Sequence, residues 1–202
     1  NLDNLVFLDN GTQFVITSEK SGYMHLYLYD MNGKEKQALT KGNFDIIDFY
    51  GYDPVRKLFY YSSYEESPVE KYVYSINTKG QKKKLTPTKG WNEASFSKTF
   101  NYYINVASNT ELPPVTTLYN AKGKAVRVLA ENKKVSEKLQ DYTLSKREFI
   151  QIPAADGKTM LNAWMMKPVN MEAGKNYPLL ITQYSGPNSQ QVMNKWSLNW
   201  LD

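Results

Sequence analysis

Short runs in which apolar and polar residues alternate fill the first two thirds of the chain. In the run Met24–Tyr29, for example, Leu26 and Leu28 share one face while Tyr27 lies on the other. A period of two is typical of β-strands, whose successive side chains point to opposite faces of a sheet. The runs are separated by Gly, Asn, Asp and Pro, which favour turns. This pattern predicts a mainly β structure.

Two sequence markers recur in step at intervals of about 45 residues, a period typical of β-propeller blades with four strands each. The first marker is a Leu-Thr pair, which occurs at Leu39-Thr40 and Leu85-Thr86 and more weakly as Val128-Leu129-Ala130. The second is an Asp or Asn followed three residues later by Gly, found in Asp30–Gly33, Asn77–Gly80 and Asn120–Gly123. Because both markers keep the same phase, the sequence predicts three consecutive blades.

Each repeat divides into four predicted strands. They are Leu5–Leu8, Gln13–Ser18, Met24–Tyr29 and Lys36–Thr40; Phe44–Tyr50, Lys57–Ser62, Lys71–Ile76 and Gln81–Leu85; and Glu93–Phe96, Asn101–Ala107, Val115–Tyr119 and Ala125–Leu129. We therefore place blades at about 1–42, 43–87 and 88–131, within a propeller segment 1–143 that ends in a linker. Closed propellers have four to eight blades, so we expect further blades upstream.

The pattern changes after residue 131. Lys134–Leu139 has helical spacing and predicts a short linking helix, and Arg147–Ile152 with Met160–Met166 predicts a hairpin. The apolar run Leu179–Ile181, entered through Pro178 and left through Gly186-Pro187, predicts a strand buried on both faces of a parallel sheet. Trp196–Leu201 is expected to begin a helix. Residues 144–202 are thus interpreted as the truncated start of an α/β domain.

Composition and charge exclude several classes of site. The 202 residues contain no Cys and one His, which excludes disulfides, thiolate metal sites and a His-rich zinc site. The net charge of +5 is small, and the densest basic run, Lys82–Lys84, is interpreted as the solvated end of a strand, so no nucleic-acid partner is predicted. No apolar run reaches the length of a membrane span.

Several motifs resemble those of the S9 serine peptidases, specifically the dipeptidyl peptidase IV group. They are Gly22–Tyr27, Ser95–Ser97, Glu111–Pro113, Tyr177–Leu180 and the string Tyr184-x-Gly186-Pro187-x-Ser189-Gln190. The resemblance covers nearly the whole chain. It implies the last blades of an eight-bladed propeller followed by the start of an α/β-hydrolase domain. It also implies cleavage of X-Pro or X-Ala dipeptides from peptide N-termini by a Ser-Asp-His triad, no cofactor, a homodimer, and a periplasmic or secreted location.

Tyr184 is the one catalytic residue that the resemblance transfers to this chain. In the family, a Tyr hydroxyl after this strand joins a backbone N–H as the oxyanion hole. The nucleophile elbow G-x-S-x-G is absent from the 202 residues, and Ser185 lacks the preceding Gly that the elbow needs. His25 is interpreted as a structural residue, and Glu65-Glu66 as solvated loop charges that do not form the family's amine clamp. The chain by itself is therefore expected to be inactive.

Two functional hypotheses remain open at this stage. The first is a serine exopeptidase whose propeller gates and binds the substrate. The alternative is a catalytically dead homologue that acts as a binding or scaffold module, since propellers commonly serve as interaction platforms. The residue at the serine position of the elbow in the full-length protein would distinguish them. Within the enzyme hypothesis, dipeptidyl, tripeptidyl and acylaminoacyl specificities are not separated by this sequence.

Overall fold

The computed structural model describes residues 4–8, 11–184, 186 and 189–197, and contains three four-stranded antiparallel sheets with strands in chain order. Blade 1 consists of β1 (Val6–Leu8), β2 (Gln13–Ser18), β3 (His25–Asp30) and β4 (Glu35–Ala38). Blade 2 consists of β5 (Ile46–Asp53), β6 (Leu58–Ser63), β7 (Tyr72–Ile76) and β8 (Lys82–Lys84). Blade 3 consists of β9 (Trp91–Phe96), β10 (Tyr102–Ser108), β11 (Val115–Asn120) and β12 (Ala125–Glu131). The predicted blade architecture is confirmed.

The same turn closes the hairpin between the third and fourth strands in all three blades. A side-chain oxygen of Asp or Asn accepts hydrogen bonds from the backbone N–H groups two and four residues later, at 3.0 or 3.1 Å. The Gly three residues after it has φ of 77°, 76° or 78°, a conformation that costs Gly little. These turns are Asp30–Gly33, Asn77–Gly80 and Asn120–Gly123. The second sequence marker is thus a local turn.

The Leu-Thr marker extends the hydrogen-bonded ladder past the end of the outer strand. In blade 1 the Leu39 N–H donates to the Leu26 carbonyl at 2.8 Å, and the Thr40 hydroxyl accepts from the Leu26 N–H at 3.1 Å. In blade 2, Leu85 and Thr86 form the same pair of bonds with Val73, at 2.8 and 3.0 Å. Because Thr supplies an acceptor to a buried backbone N–H, the pair satisfies both polar groups of one residue.

Blade 2 is packed between its neighbours, and its strands divide their side chains between two cores. Towards blade 1 it contributes Phe59 and Tyr61, which are fully buried with Val15 and Leu26. Towards blade 3 it contributes Tyr60, which joins a second cluster with Val73, Leu85, Tyr103 and Tyr119. The alternation along β6 is the period of two that the sequence shows, here with both faces buried.

Backbone hydrogen bonds link adjacent blades at equivalent positions. The Ile46 N–H donates to the Met24 carbonyl at 2.9 Å, and the Asn92 N–H donates to the Lys71 carbonyl at 3.0 Å. The second link requires Gly90, whose carbonyl accepts from the Lys71 N–H at 3.0 Å. Gly90 has φ of 122°, and a Cβ there would lie 2.3 Å from the Ser108 carbonyl oxygen. The junction of blades 2 and 3 therefore depends on a glycine.

The predicted linking helix and hairpin are also confirmed. Helix α1 spans Lys133–Leu139, and β13 (Arg147–Pro153) pairs with β14 (Met160–Met166). Asp156 closes the hairpin turn: hydrogen bonds from the Thr159 hydroxyl and from two backbone N–H groups lower the pKa of its carboxyl to about 2. No helix in the described part of the chain is long and apolar enough to span a membrane.

The predicted buried strand at Leu179–Ile181 is wrong for this structure. The three side chains are 77%, 73% and 75% exposed, and the segment has no regular secondary structure. A strand in a parallel sheet needs hydrogen-bonded neighbours, and no strand among the described residues pairs with this run. The predicted helix at Trp196–Leu201 falls mostly outside the described residues, and Trp196 and Ser197 are not helical.

Candidate functional site

Tyr184 lies at the end of the exposed apolar run, and its side chain is 65% exposed. The ring covers Gly186 so closely that a Cβ on that residue would lie 2.7 Å from the Tyr184 hydroxyl oxygen. Within the described part of the chain, the hydroxyl has no hydrogen-bond partner. Ser185 and Pro187, which belong to the same motif, lie outside the described residues. The structure thus presents a phenol that is free to donate a hydrogen bond.

Two tyrosines of blade 2, Tyr72 and Tyr74, differ from Tyr184 because their hydroxyls already donate hydrogen bonds. Tyr72 donates to Glu70 at 2.7 Å and Tyr74 donates to Glu66 at 2.9 Å. Burial, followed by the hydrogen bond to the neighbouring carboxylate, raises the pKa of both phenols. These groups stabilise the blade and have no spare hydrogen for a ligand.

Residues 189–197, which we call the docking segment, begin with the last two residues of the Tyr184 motif and lie at the junction of blades 2 and 3. The Gln190 side chain donates to the Pro68 carbonyl at 2.6 Å, and the Asn194 N–H donates to the Val69 carbonyl at 2.7 Å. Further along, the Trp196 N–H donates to the Ser108 hydroxyl at 3.3 Å. The segment after Tyr184 is therefore attached to the propeller by backbone and side-chain bonds.

The Asn194 side chain bridges the two blades. Its amide nitrogen donates to Glu70 Oε1 at 2.9 Å, and its oxygen accepts from the Thr110 N–H at 3.2 Å. Glu70 is 6% exposed, and its other oxygen accepts the hydroxyl of Tyr72. A buried carboxylate requires such partners, because each missing hydrogen bond costs free energy. Asn194 thus supplies one of the bonds that keep Glu70 satisfied.

A second contact of the docking segment is made by Lys195. Its ammonium group donates to Glu93 Oε1 at 3.0 Å, and the Trp91 indole N–H donates to the same oxygen at 2.9 Å. The ammonium groups of Lys195 and Lys71 lie 5.6 and 5.2 Å from the Trp91 ring centroid, within cation–π range. Burial alone would raise the pKa of Glu93, but the hydrogen bonds from Lys195 and Trp91 outweigh it and lower the pKa.

His25 is a structural residue, as predicted. It is 2% exposed, its Nε2 lies 3.0 Å from the Gly42 carbonyl oxygen, and its Nδ1 lies 3.1 Å from the Thr40 hydroxyl. Since a carbonyl can only accept, Nε2 donates to Gly42, while Nδ1 forms its hydrogen bond with the Thr40 hydroxyl. Both ring nitrogens are therefore used within blade 1. No group of three or more His, Asp or Glu in the described residues is arranged to hold a metal ion.

The interpretation of Glu65-Glu66 as solvated charges is wrong for Glu65. Its side chain is 8% exposed, and it accepts hydrogen bonds from the Tyr61 and Ser63 hydroxyls at 3.3 and 3.1 Å. The β8 lysines run alongside both glutamates, with Lys82 paired to Glu65 and Lys84 paired to Glu66. The predicted basic end of a strand is thus an exposed strand whose charges are partly neutralised within blade 2.

Sequence reasoning did not identify the docking segment. Asn194 and Lys195 stand in no periodic pattern, and their partners Glu70 and Glu93 lie more than a hundred residues earlier in the chain. No local signal in one sequence connects such distant positions. The structure therefore adds a second feature to the site, an attachment of the Tyr184 region to blades 2 and 3.

Comparisons with known proteins agree with this architecture. The model of the dipeptidyl peptidase IV (DPP IV) N-terminal region matches residues 1–114. The chain is 30% identical to the probable dipeptidyl peptidase 4 of Aspergillus flavus, covering 96% of this chain and 27% of that protein. It is 32% identical to the dipeptidyl peptidase 4 of Trichophyton rubrum, covering 97% of this chain and 26% of that protein.

A solved structure is also similar. The crystal structure of Porphyromonas gingivalis dipeptidyl peptidase 4 superimposes with a TM-score of 0.90 at 40% identity, over 97% of this chain and 28% of that one. The chain spans about a quarter of the length of these relatives. The resemblance predicted from the sequence motifs is confirmed. This chain belongs to the dipeptidyl peptidase IV family.

Proposed function

We propose that this chain is part of a serine exopeptidase that releases dipeptides with Pro or Ala in the second position from peptide N-termini. The propeller blades gate and bind the substrate, and residues 144–202 begin the α/β-hydrolase domain. The family match and the relatives named dipeptidyl peptidase 4 support the peptidase class. One observation supports a role for a particular residue. The hydroxyl of Tyr184, within the Tyr-x-Gly-Pro-x-Ser-Gln motif, is exposed and has no hydrogen-bond partner among the described residues.

The proposed role of Tyr184 is to donate a hydrogen bond to the oxyanion. Attack of the nucleophilic serine on the scissile carbonyl places negative charge on the carbonyl oxygen, and donors fixed beforehand stabilise that charge. A neutral phenol can provide one such hydrogen bond while a backbone N–H next to the nucleophile provides another. Tyr72 and Tyr74 of blade 2 cannot provide this hydrogen bond, because their hydroxyls already donate to carboxylates.

The test is Tyr184→Phe in the full-length protein, assayed with a chromogenic Gly-Pro substrate. Loss of one oxyanion donor lowers kcat by about 10²–10³-fold, with little change in KM, because the bond forms fully only in the transition state. Tyr177→Phe is the matched control. Tyr177 lies in the same segment, but its hydroxyl accepts the Glu172 N–H at 2.9 Å. An unchanged kcat in Tyr184→Phe would rule out the oxyanion role.

The 202-residue chain alone is expected not to hydrolyse the same substrate, because it contains no nucleophile elbow. Hydrolysis by the purified chain would contradict the assignment of the nucleophile to another part of the protein. The elbow sequence of the full-length protein tests the alternative. A residue other than Ser at that position would favour the binding or scaffold module.

A further inference from the structure

We propose that Asn194 is a positioning residue for Tyr184, and that it acts by fixing the docking segment to blades 2 and 3. The inference rests on the proposed oxyanion role of Tyr184. An oxyanion donor stabilises the transition state only when it is held in place before the reaction. Tyr184 is exposed and belongs to a segment without regular structure, so its position must be fixed by neighbouring attachments.

Asn194 uses both ends of its amide at the blade junction. Its nitrogen donates to Glu70 of the loop between β6 and β7, and its oxygen accepts from Thr110 of the loop between β10 and β11. Its backbone N–H also donates to Val69 at 2.7 Å. Aspartate has nearly the same shape but cannot donate to Glu70, and its charge would repel that carboxylate. The site is therefore specific for an amide.

The attachment reaches Tyr184 through a short chain of contacts. The Gln190 side chain donates to Pro68 of blade 2 and to the Val192 carbonyl, at 2.6 and 3.1 Å. The Ser189 N–H donates to the Gly186 carbonyl at 3.2 Å. The Tyr184 ring lies directly over Gly186. A shift of the docking segment would therefore displace Gly186, against which the Tyr184 ring lies.

Exchanging the donor and the acceptor tests the hydrogen bond between Asn194 and Glu70. In the full-length protein, Asn194→Asp is expected to lower kcat by about tenfold to 10²-fold, since misplacing a catalytic group by about 1 Å can cost that much. Adding Glu70→Gln should restore most of the loss, because the Gln amide can donate to the new carboxylate while its oxygen still accepts from Tyr72. Asn176→Asp, an exposed site in the preceding loop, is the matched control.

A second readout asks whether Asn194 acts through Tyr184. In a Tyr184→Phe background, Asn194→Asp should reduce kcat little further, since the donor to be positioned is already missing. A purely structural role would lower the thermal midpoint and would lower the kcat by the same factor in both backgrounds. If Asn194→Asp does not fold, Asn194→Ala removes the side-chain bonds to Glu70 and Thr110 without adding a charge. It carries the same prediction for the two Tyr184 backgrounds, but no rescue by Glu70→Gln is expected, because Ala has no acceptor.

The outcomes separate the two proposals. A large loss of kcat in Tyr184→Phe together with wild-type kcat in Asn194→Asp overturns the positioning role and leaves the oxyanion role intact. Wild-type kcat in Tyr184→Phe overturns both. Equal losses of kcat from Asn194→Asp in the two backgrounds would show that Asn194 does not act through Tyr184. That result, or no rescue by Glu70→Gln, would overturn the positioning role and leave the oxyanion role intact.

Discussion

Two tyrosines in the core between blades 2 and 3 should respond in opposite ways to the same substitution. Tyr60 and Tyr103 are 0% and 1% exposed and belong to one cluster. The Tyr103 hydroxyl donates to the Leu85 carbonyl at 2.9 Å. The Tyr60 hydroxyl is buried without a hydrogen-bond partner among the described residues. Tyr60→Phe is therefore expected to stabilise the protein, whereas Tyr103→Phe is expected to destabilise it.

The expected changes in unfolding free energy follow from whether each buried hydroxyl has a hydrogen bond. Burying a hydroxyl without a hydrogen bond costs about 1–3 kcal/mol, and Tyr60→Phe removes that cost. The ring contacts of residue 60 with Phe96 and Phe100, at centroid distances of 4.8 and 5.0 Å, are kept. Tyr103→Phe instead removes one satisfied hydrogen bond, which contributes about 1 kcal/mol. The two variants should thus differ in unfolding free energy by about 2 kcal/mol or more.

Urea unfolding followed by circular dichroism measures this difference. Both variants should keep the wild-type m-value, with the midpoint raised for Tyr60→Phe and lowered for Tyr103→Phe. Burial, and next the charge of Asp53, raises the pKa of Tyr60 to about 12, so its hydroxyl stays protonated and the result should not depend on pH near neutrality. A Tyr60→Phe variant less stable than the wild type would refute the reasoning, since its hydroxyl would then be satisfied in solution, for example by an ordered water.

Three further predictions concern blade 2 and its junction with blade 3. Gly90→Ala should cost more than about 3 kcal/mol, because its Cβ meets backbone in addition to the strain of a φ of 122°. Gly157→Ala, which has open space around it at a φ of 65°, should cost about 1–2 kcal/mol, and thermal midpoints compare the two. Thr86→Val should cost about 1–3 kcal/mol by removing the acceptor of the buried Val73 N–H, again read from thermal unfolding. Because the folded pKa of Glu93 is depressed, its contribution to docking is present above its ordinary value of 4.5 and is lost as the pH falls through the folded pKa. Hydrogen exchange of the docking segment, corrected for intrinsic rates, should therefore accelerate in acid, and unchanged protection there would contradict the role of the ion pair.

The blades could be predicted from the sequence because their determinants are local. The Asp30–Gly33 turn closes within four residues, and Thr40 caps a strand of the same hairpin. Each therefore appears as a short sequence pattern that recurs from blade to blade. The contact between Asn194 and Glu70 spans 124 residues and occurs once, so no repeat or period reports it. The sequence around Glu65 does not predict its burial for a related reason, because the lysine that pairs with it lies on β8, across the blade.

The run Leu179–Ile181 shows why an apolar sequence alone does not determine burial. Blade residues such as Phe59 are buried because a neighbouring blade in the same chain covers them. The apolar run has no such neighbour among the described residues and is about three quarters exposed. A strand of this type obtains both its hydrogen bonds and its burial from flanking strands. Tyr184 stands between this run and the docking segment, and the docking segment on its C-terminal side is attached to the propeller. We therefore expect the position of its hydroxyl to depend on the Asn194 contact.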